Sequence, residues 1–128
     1  METIPLILLR SRLAVCRLPA NALLPEWAWL GEFVSFTLTA DELSVVCEER
    51  FVPPEIKAER GWCALKFHGP LDFSLIGLLA SVANVLAEAN IGIFTISTYD
   101  TDYILFKEVS IDRTLAALNH AGYIVVKP

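Results

Sequence analysis

Basic residues are few and dispersed in this sequence: ten Lys and Arg stand against fifteen Asp and Glu, for a net charge of −5. No basic block is longer than a scattered pair, and a protein that grips a phosphate backbone needs a basic stripe to release counterions, so nucleic acid is excluded as a partner. Cysteine is equally sparse. Cys16, Cys47 and Cys63 are odd in number, show no C-x-x-C spacing and stand inside apolar runs, which predicts buried free thiols in a reducing cytoplasm rather than a disulfide frame. His68 and His120 have no metal-ligand spacing to each other or to a cysteine, so no metal is expected. There is no G-x-S-x-G and no phosphate-cradling glycine loop. Two carboxylates share one hairpin, yet nothing beside them supplies a nucleophile or an oxyanion site. The expectation is a protein without catalysis and without a cofactor.

Long apolar runs are missing too. Residues 4–9 are short, preceded by Glu2 and followed rather than led by Arg10 and Arg12, so they read as a first strand and not as a leader. Residues 75–87 are interrupted by Ser81 and Asn84 and fall short of the ~18 apolar residues a membrane span needs. A soluble, cytoplasmic protein with no membrane partner is expected. What the sequence does have is dispersed apolar content, 55% of its 128 residues, with a mean hydropathy of +0.53. Such an excess points to extra burial, in a helix packed on two sides or in a subunit interface.

Read in order, the chain gives apolar segments at 5–9 and 13–18, forming a hairpin or one bent strand, then a proline-marked piece at 21–31 able to make a short helix. Its indoles, Trp27 and Trp29, plug a small core or serve as a ligand lid. Strands follow at 33–38 and 43–48 around Thr39-Ala40-Asp41-Glu42, with a single helical turn at 55–59. From Trp62 the pattern is strand, helix, strand, strand, helix, strand, the split β-α-β ferredoxin-like order. The first helix begins near Leu75 behind a cap at Asp72 or Ser74 and ends at Asn90 in a left-handed turn. Leu75, Leu79, Val82 and Leu86 form one of its faces; Ile76, Ala80, Ala83 and Ala87 form a smoother one, which predicts two partners and a homodimer or larger assembly. The second helix is capped by Ser110, buries Leu115 and Leu118, and stops at Gly122.

The first half echoes the second. A shift of sixty positions lays Ser35-Phe36-Thr37 under Thr95-Ile96-Ser97 and Glu42 under Asp102, which implies two related units. The predicted fold is therefore α+β, with two ferredoxin-like (βαββαβ) units in tandem: residues 1–61, with eroded helices, and residues 62–128. The second hairpin carries a polar knot, S-T-Y-D-T-D, at its tip. Asp100 and Asp102 there either serve the turn through their own backbone or face a ligand; Asp41 and Glu42 in the first half serve a turn and solvent or mark a second pocket.

Three segments carry a family likeness: residues 35–49, S-F-T-L-T-A-D-E-L-S-V-V-C-E-E; residues 61–77, G-W-C-A-L-K-F-H-G-P-L-D-F-S-L-I-G; and residues 96–105, I-S-T-Y-D-T-D-Y-I-L. Together they resemble the ACT-domain family, and within it the small tandem-ACT proteins similar to the arginine sensor of the animal TOR pathway. The resemblance implies a non-catalytic regulatory protein that binds a free amino acid, held by the loop and first turn of a helix. Those positions are Asp72, Leu75, Ile76, Gly77 and Leu78, faced by Thr98, Tyr99 and Asp102. Leu75 stands where the arginine sensor has an acidic contact, which leaves a smaller or apolar amino acid open as ligand. The alternative is a structural or protein-interaction module with a vestigial pocket.

Overall fold

The computed structural model describes residues 4–69 and 77–128. The chain divides into two compact units: a split unit of Met1–Arg10 with Cys63–Pro128, and an inserted unit of Ser11–Trp62. The secondary structure is α+β. Its strands are β1 (Leu6–Leu8), β2 (Leu13–Leu18), β3 (Val34–Leu38), β4 (Leu43–Glu48), β5 (Ala58–Phe67), β6 (Ile93–Ser97), β7 (Asp102–Lys107) and β8 (Val125–Val126); its helices are α1 (Leu78–Glu88) and α2 (Ile111–His120). The unit boundary falls inside β5.

In the split unit the strand order is β6-β7-β5-β1-β8. Without β1 this is the sheet order of a ferredoxin-like unit, but β1 intercalates between β5 and β8. It pairs antiparallel to β5, with Leu6 opposite Phe67, and parallel to β8, with Leu6 opposite Val125, so the sheet is mixed. Of the two readings of residues 5–9 and 13–18, the hairpin does not form; both segments run antiparallel to β5 in succession, Leu6–Leu8 along Phe67–Leu65 and Leu13–Cys16 along Trp62–Ala58, as one bent strand would. The alternating burial of β1 fits its place: Leu6 and Leu8 are buried beside Cys63, Leu65, Phe67, Val82, Leu86, Ile104, Phe106 and Leu118.

Both helices stop as the sequence predicts. Asn90 has φ 61 and Gly122 φ 93, and in each case two backrunning bonds satisfy orphan carbonyls: Ile91 N–H to Leu86 O and Asn90 N–H to Ala87 O, then Tyr123 N–H to Leu118 O and Gly122 N–H to Asn119 O. The helix starts differ from expectation. Ser110 precedes α2 but makes no side-chain cap; its hydroxyl accepts from Arg113 Nη2 at 3.2 Å. Gly77 stands ahead of α1 at φ 84, a left-handed conformation, so no regular helix runs through it. Val82 and Leu86 face the core as predicted, whereas Ala80 and Ala87 of the smooth face are exposed.

In the inserted unit the order is β3-β4-β2-β5, with every pairing antiparallel. Its core is Ala14, Cys16, Ala28, Leu43, Val45, Cys47 and Val52. Trp27 packs against it, but Trp29 is 60% exposed, so only one of the two indoles plugs the core. Among the described residues this unit has no α-helix; 3-10 turns at Glu26–Trp29 and Glu49–Phe51 connect its strands. A helical turn at 55–59 is absent, since β5 already begins at Ala58. A complete second ferredoxin-like unit is not demonstrated.

The two hairpins correspond in element lengths and spacing, at a different register from the one the letters suggest. Hairpin β3–β4 with its 3-10 turn matches hairpin β6–β7 with the 3-10 turn Glu108–Ser110, at a shift of fifty-nine: Val34 falls on Ile93, Leu43 on Asp102 and Glu49 on Glu108. The sequence shift of sixty set Glu42 against Asp102. Side chains alternate faces along a strand, so that single residue matters: Asp102 corresponds to Leu43, and Glu42 to Thr101.

Candidate functional site

Each hairpin tip is closed by a threonine. Thr98 N–H donates to Thr101 O at 2.8 Å, Thr98 Oγ1 donates to the same carbonyl at 3.1 Å, and Thr101 N–H reaches Thr98 Oγ1 at 3.3 Å. Thr39 does the same at the first tip, where its hydroxyl accepts from the N–H groups of Asp41 and Glu42, both at 3.2 Å. Hydroxyls that bond their own turn stiffen it, and they leave less hydrogen-bonding capacity for anything else.

Of the predicted ligand residues, Asp72, Leu75 and Ile76 lie outside the described residues. Gly77 and Leu78 sit at the start of α1. Thr98, Tyr99 and Asp102 come together at the tip of β6–β7, with Tyr99 82% exposed and Asp102 half-buried opposite Ser97 at the first position of β7. Asp100 is exposed.

A residue that the sequence reading passed over ties this tip down. Thr101 is 5% exposed, and its hydroxyl donates to Phe67 O at 3.0 Å. Phe67 is the last residue of β5, the strand whose continuation leads into α1. The same strand end is fixed again by His68 N–H on Pro5 O at 2.9 Å. The hairpin tip is therefore fastened to the end of β5. A β-branched hydroxyl between two aspartates was the available signal, and only burial distinguishes it from its neighbours.

Among the described residues, two clefts contain none of the residues expected to hold the amino acid, although the second is lined by Glu42, one of the two acids that could mark a second pocket. One, of about 470 Å³, is lined by Leu115, Ala116, Asn119, Tyr123, Ile124, Val125 and Lys127. The other, of about 210 Å³ in the inserted unit, has Arg17, Lys57, Glu42 and Glu59 around Ser44. Arg17 there donates to the backbone carbonyl of Asp41 at 3.1 Å, which gives the Asp41-Glu42 turn a structural partner. Among the described residues no three His, Cys, Asp or Glu side chains cluster in a way that would hold a metal ion.

A further buried charge belongs to the inserted unit. Glu48 is 3% exposed and accepts from the Glu32 N–H and from Arg50 Nε at 3.3 Å. Burial pushes its carboxyl up, but the Glu32 N–H, the Ser11 hydroxyl and the Arg50 guanidinium together outweigh that and hold it below the usual range. Gly31 lies against it with no room for a side chain: a Cβ would strike the Glu48 carboxylate.

A family model described as an ACT domain matches residues 57–120, half of the 128-residue chain. The chain belongs to the ACT-domain family. ACT domains are non-catalytic regulatory modules, and the matched stretch contains β5, α1, the β6–β7 hairpin and α2. A second model, described as an N-terminal domain, matches residues 11–55, most of the inserted unit. No curated protein matches. Among solved structures, a protein from Agrobacterium tumefaciens is 36% identical, with a TM-score of 0.92 over 100% of this chain and 96% of that one. A Vibrio cholerae protein, described as a possible transport protein, is 19% identical with a TM-score of 0.73, over 91% of this chain and 88% of its own. The aspartate kinase of Clostridium acetobutylicum, at 11% identity and a TM-score of 0.65, shares the fold over 94% of this chain but only 36% of the kinase. The ACT chain thus spans nearly the full length of the Agrobacterium and Vibrio proteins and a minor part of the kinase.

Proposed function

We propose that this ACT protein is a regulatory sensor of a free amino acid, bound in the split unit between the start of α1 and the tip of hairpin β6–β7. The supporting observation is the ACT match over residues 57–120, which takes in both segments, together with the Thr101–Phe67 bond that holds the tip at the strand end leading to α1. In this reading the ligand's carboxylate meets backbone N–H groups around Asp72, Leu75, Ile76, Gly77 and Leu78, since free N–H groups at a helix start suit an anion. Its ammonium meets Asp102, with Thr98 and Tyr99 on the same wall. The likeness to the arginine sensor belongs to this proposal, with Leu75 favouring a smaller or apolar side chain on the ligand. So do the reading of the inserted unit as a degenerate ACT unit beside a C-terminal one, a cytoplasmic location, and self-association into a homodimer. The clostridial aspartate kinase, described as an allosteric enzyme, carries the same fold as part of a regulated protein.

The test begins with a thermal-shift screen against the common amino acids. A ligand at about a hundred times its dissociation constant adds ~2.7 kcal/mol, which moves the melting point of a domain this size by several degrees. The hit is then titrated calorimetrically into Asp102→Asn and Asp100→Asn. Asp102→Asn keeps the volume and removes the charge, so its affinity falls by roughly ten- to a hundredfold, the worth of a charge-assisted hydrogen bond of about 1.5–3 kcal/mol; Asp100→Asn changes little. No shift with any amino acid supports a structural or protein-interaction module instead, and equal affinities for Asp102→Asn and the parent return Asp102 to the turn.

A further inference from the structure

Strand β3 is the last strand of the inserted unit's sheet and pairs only with β4 among the described residues. Its outward backbone groups can be identified. Thr39 N–H donates to Glu42 O, which makes that pair hydrogen-bonded. Alternation along an antiparallel ladder then assigns the bonds with β4 to Thr37 opposite Ser44 and Ser35 opposite Val46. The N–H and C=O groups of Val34, Phe36 and Leu38 are turned to the free edge. The side chains of these three residues share one face, and there Phe36 is 51% and Leu38 59% exposed.

The edge carries none of the usual protection. Val34-Ser35-Phe36-Thr37-Leu38 has no lysine, no proline and no charge, and its register with β4 runs without a bulge. The matching strand of the other hairpin supplies a comparison inside the same molecule. At the fifty-nine shift Phe36 and Leu38 correspond to Thr95 and Ser97 of β6, which are exposed and polar. One edge is blunted by polar residues; its counterpart presents an aromatic ring and a leucine at the same positions.

The edge is also complementary to itself. About a two-fold axis through Phe36, an antiparallel copy places Phe36 opposite Phe36, Val34 opposite Leu38 and Ser35 opposite Thr37. Every pair matches apolar with apolar or hydroxyl with hydroxyl, and the three residues with outward backbone groups are those that would exchange bonds. We infer that the free edge of β3 is the surface through which two copies of this chain pair, extending one inserted-unit sheet into the other. The inference rests on the self-association proposed above and names its surface.

Sedimentation equilibrium on the full chain and three variants tests it, with folding followed by circular dichroism and thermal melting. The parent is expected at twice its 14.2 kDa mass. Phe36→Lys, which sets like charges directly opposite each other, is expected at 14.2 kDa with an unchanged fold. Thr95→Lys, the same change on the polar edge, is expected to remain dimeric. Should Phe36→Lys fail to fold, Leu38→Lys, at a still more exposed position, decides in its place. A folded edge variant that stays dimeric overturns the β3 edge while leaving self-association intact; a parent that is monomeric at high micromolar concentration overturns both.

Discussion

Glu48 shows what a single residue can hold in place. Its carboxylate receives the Glu32 N–H and Arg50 Nε inside the inserted unit, and its carboxyl is held low despite burial. A group whose folded pKa is depressed contributes stability that is present above its unfolded value and is lost as pH falls through the folded one. Stability should therefore decline below about pH 4.5, the ordinary value for this group, and Glu48→Gln should flatten that limb in urea melts taken as a function of pH. At neutral pH the same change should cost about 1.5–3 kcal/mol, because a charged acceptor is lost from a buried site. Gly31→Ala should also lower stability, since its new methyl group meets the Glu48 carboxylate and displaces it from the Glu32 N–H. In the sequence Glu48 was simply the polar end of an apolar strand. Its burial depends on residues 31–32, brought there by the chain path through the 3-10 turn Glu26–Trp29.

At the scale of elements, the tip of β6–β7 is set by two threonines with different tasks. Thr98 closes the turn on itself, and Thr101 fastens the turn to β5 through Phe67 O. Thr101→Val keeps the shape and leaves that buried carbonyl without its hydroxyl partner, for an expected loss of about 1 kcal/mol in chemical denaturation. Faster amide exchange at residues 98–102 should accompany it, while Thr98→Val should disturb the turn without loosening the tip from β5. The end of α1 makes a separate prediction. Asn90 sits at φ 61, where an alanine pays a left-handed penalty of roughly 1 kcal/mol, so Asn90→Ala should lower stability and Asn90→Gly should not. That stop was legible in the sequence, as was the hairpin, because both follow from the preferences of adjacent residues. The start of α1 is a separate case: the expected caps Asp72 and Ser74 and the start near Leu75 lie outside the described residues, and the described helix opens at Leu78 behind a left-handed Gly77.

For the molecule as a whole, the three cysteines report on opening. Cys16, Cys47 and Cys63 are free and at most 1% exposed. Hydrogen bonding with Cys16, followed by burial, pushes the Cys47 thiol well up, which further suppresses its thiolate. A thiol reagent should label the native protein very slowly and the denatured protein at all three positions. An amino acid bound as proposed should slow the native reaction of Cys63, in the core of the split unit, by favouring the folded state. Rapid labelling of Cys63 in the native state would show that this core opens far more readily than its packing implies.

The sequence by itself determined the elements: strands from β-favouring runs, helix ends from Asn90 and Gly122, a hairpin from two apolar runs around a polar tip, and an ACT likeness carried by residues 35–49, 61–77 and 96–105. All of these are written in residues close together along the chain, where turn chemistry and side-chain periodicity act directly. The tertiary structure decided which strands meet. Leu6-Ile7-Leu8 is apolar on both faces and would suit any sheet, so nothing local sends β1 between β5 and β8; that choice comes from burying Leu6 and Leu8 against residues more than fifty positions away. The repeat register was decided in the same way. A shift of sixty fits the letters, but the closing bonds of Thr39 with Glu42 and of Thr98 with Thr101 impose fifty-nine, because a hairpin's register is fixed where its backbone turns and every side chain follows from that bond.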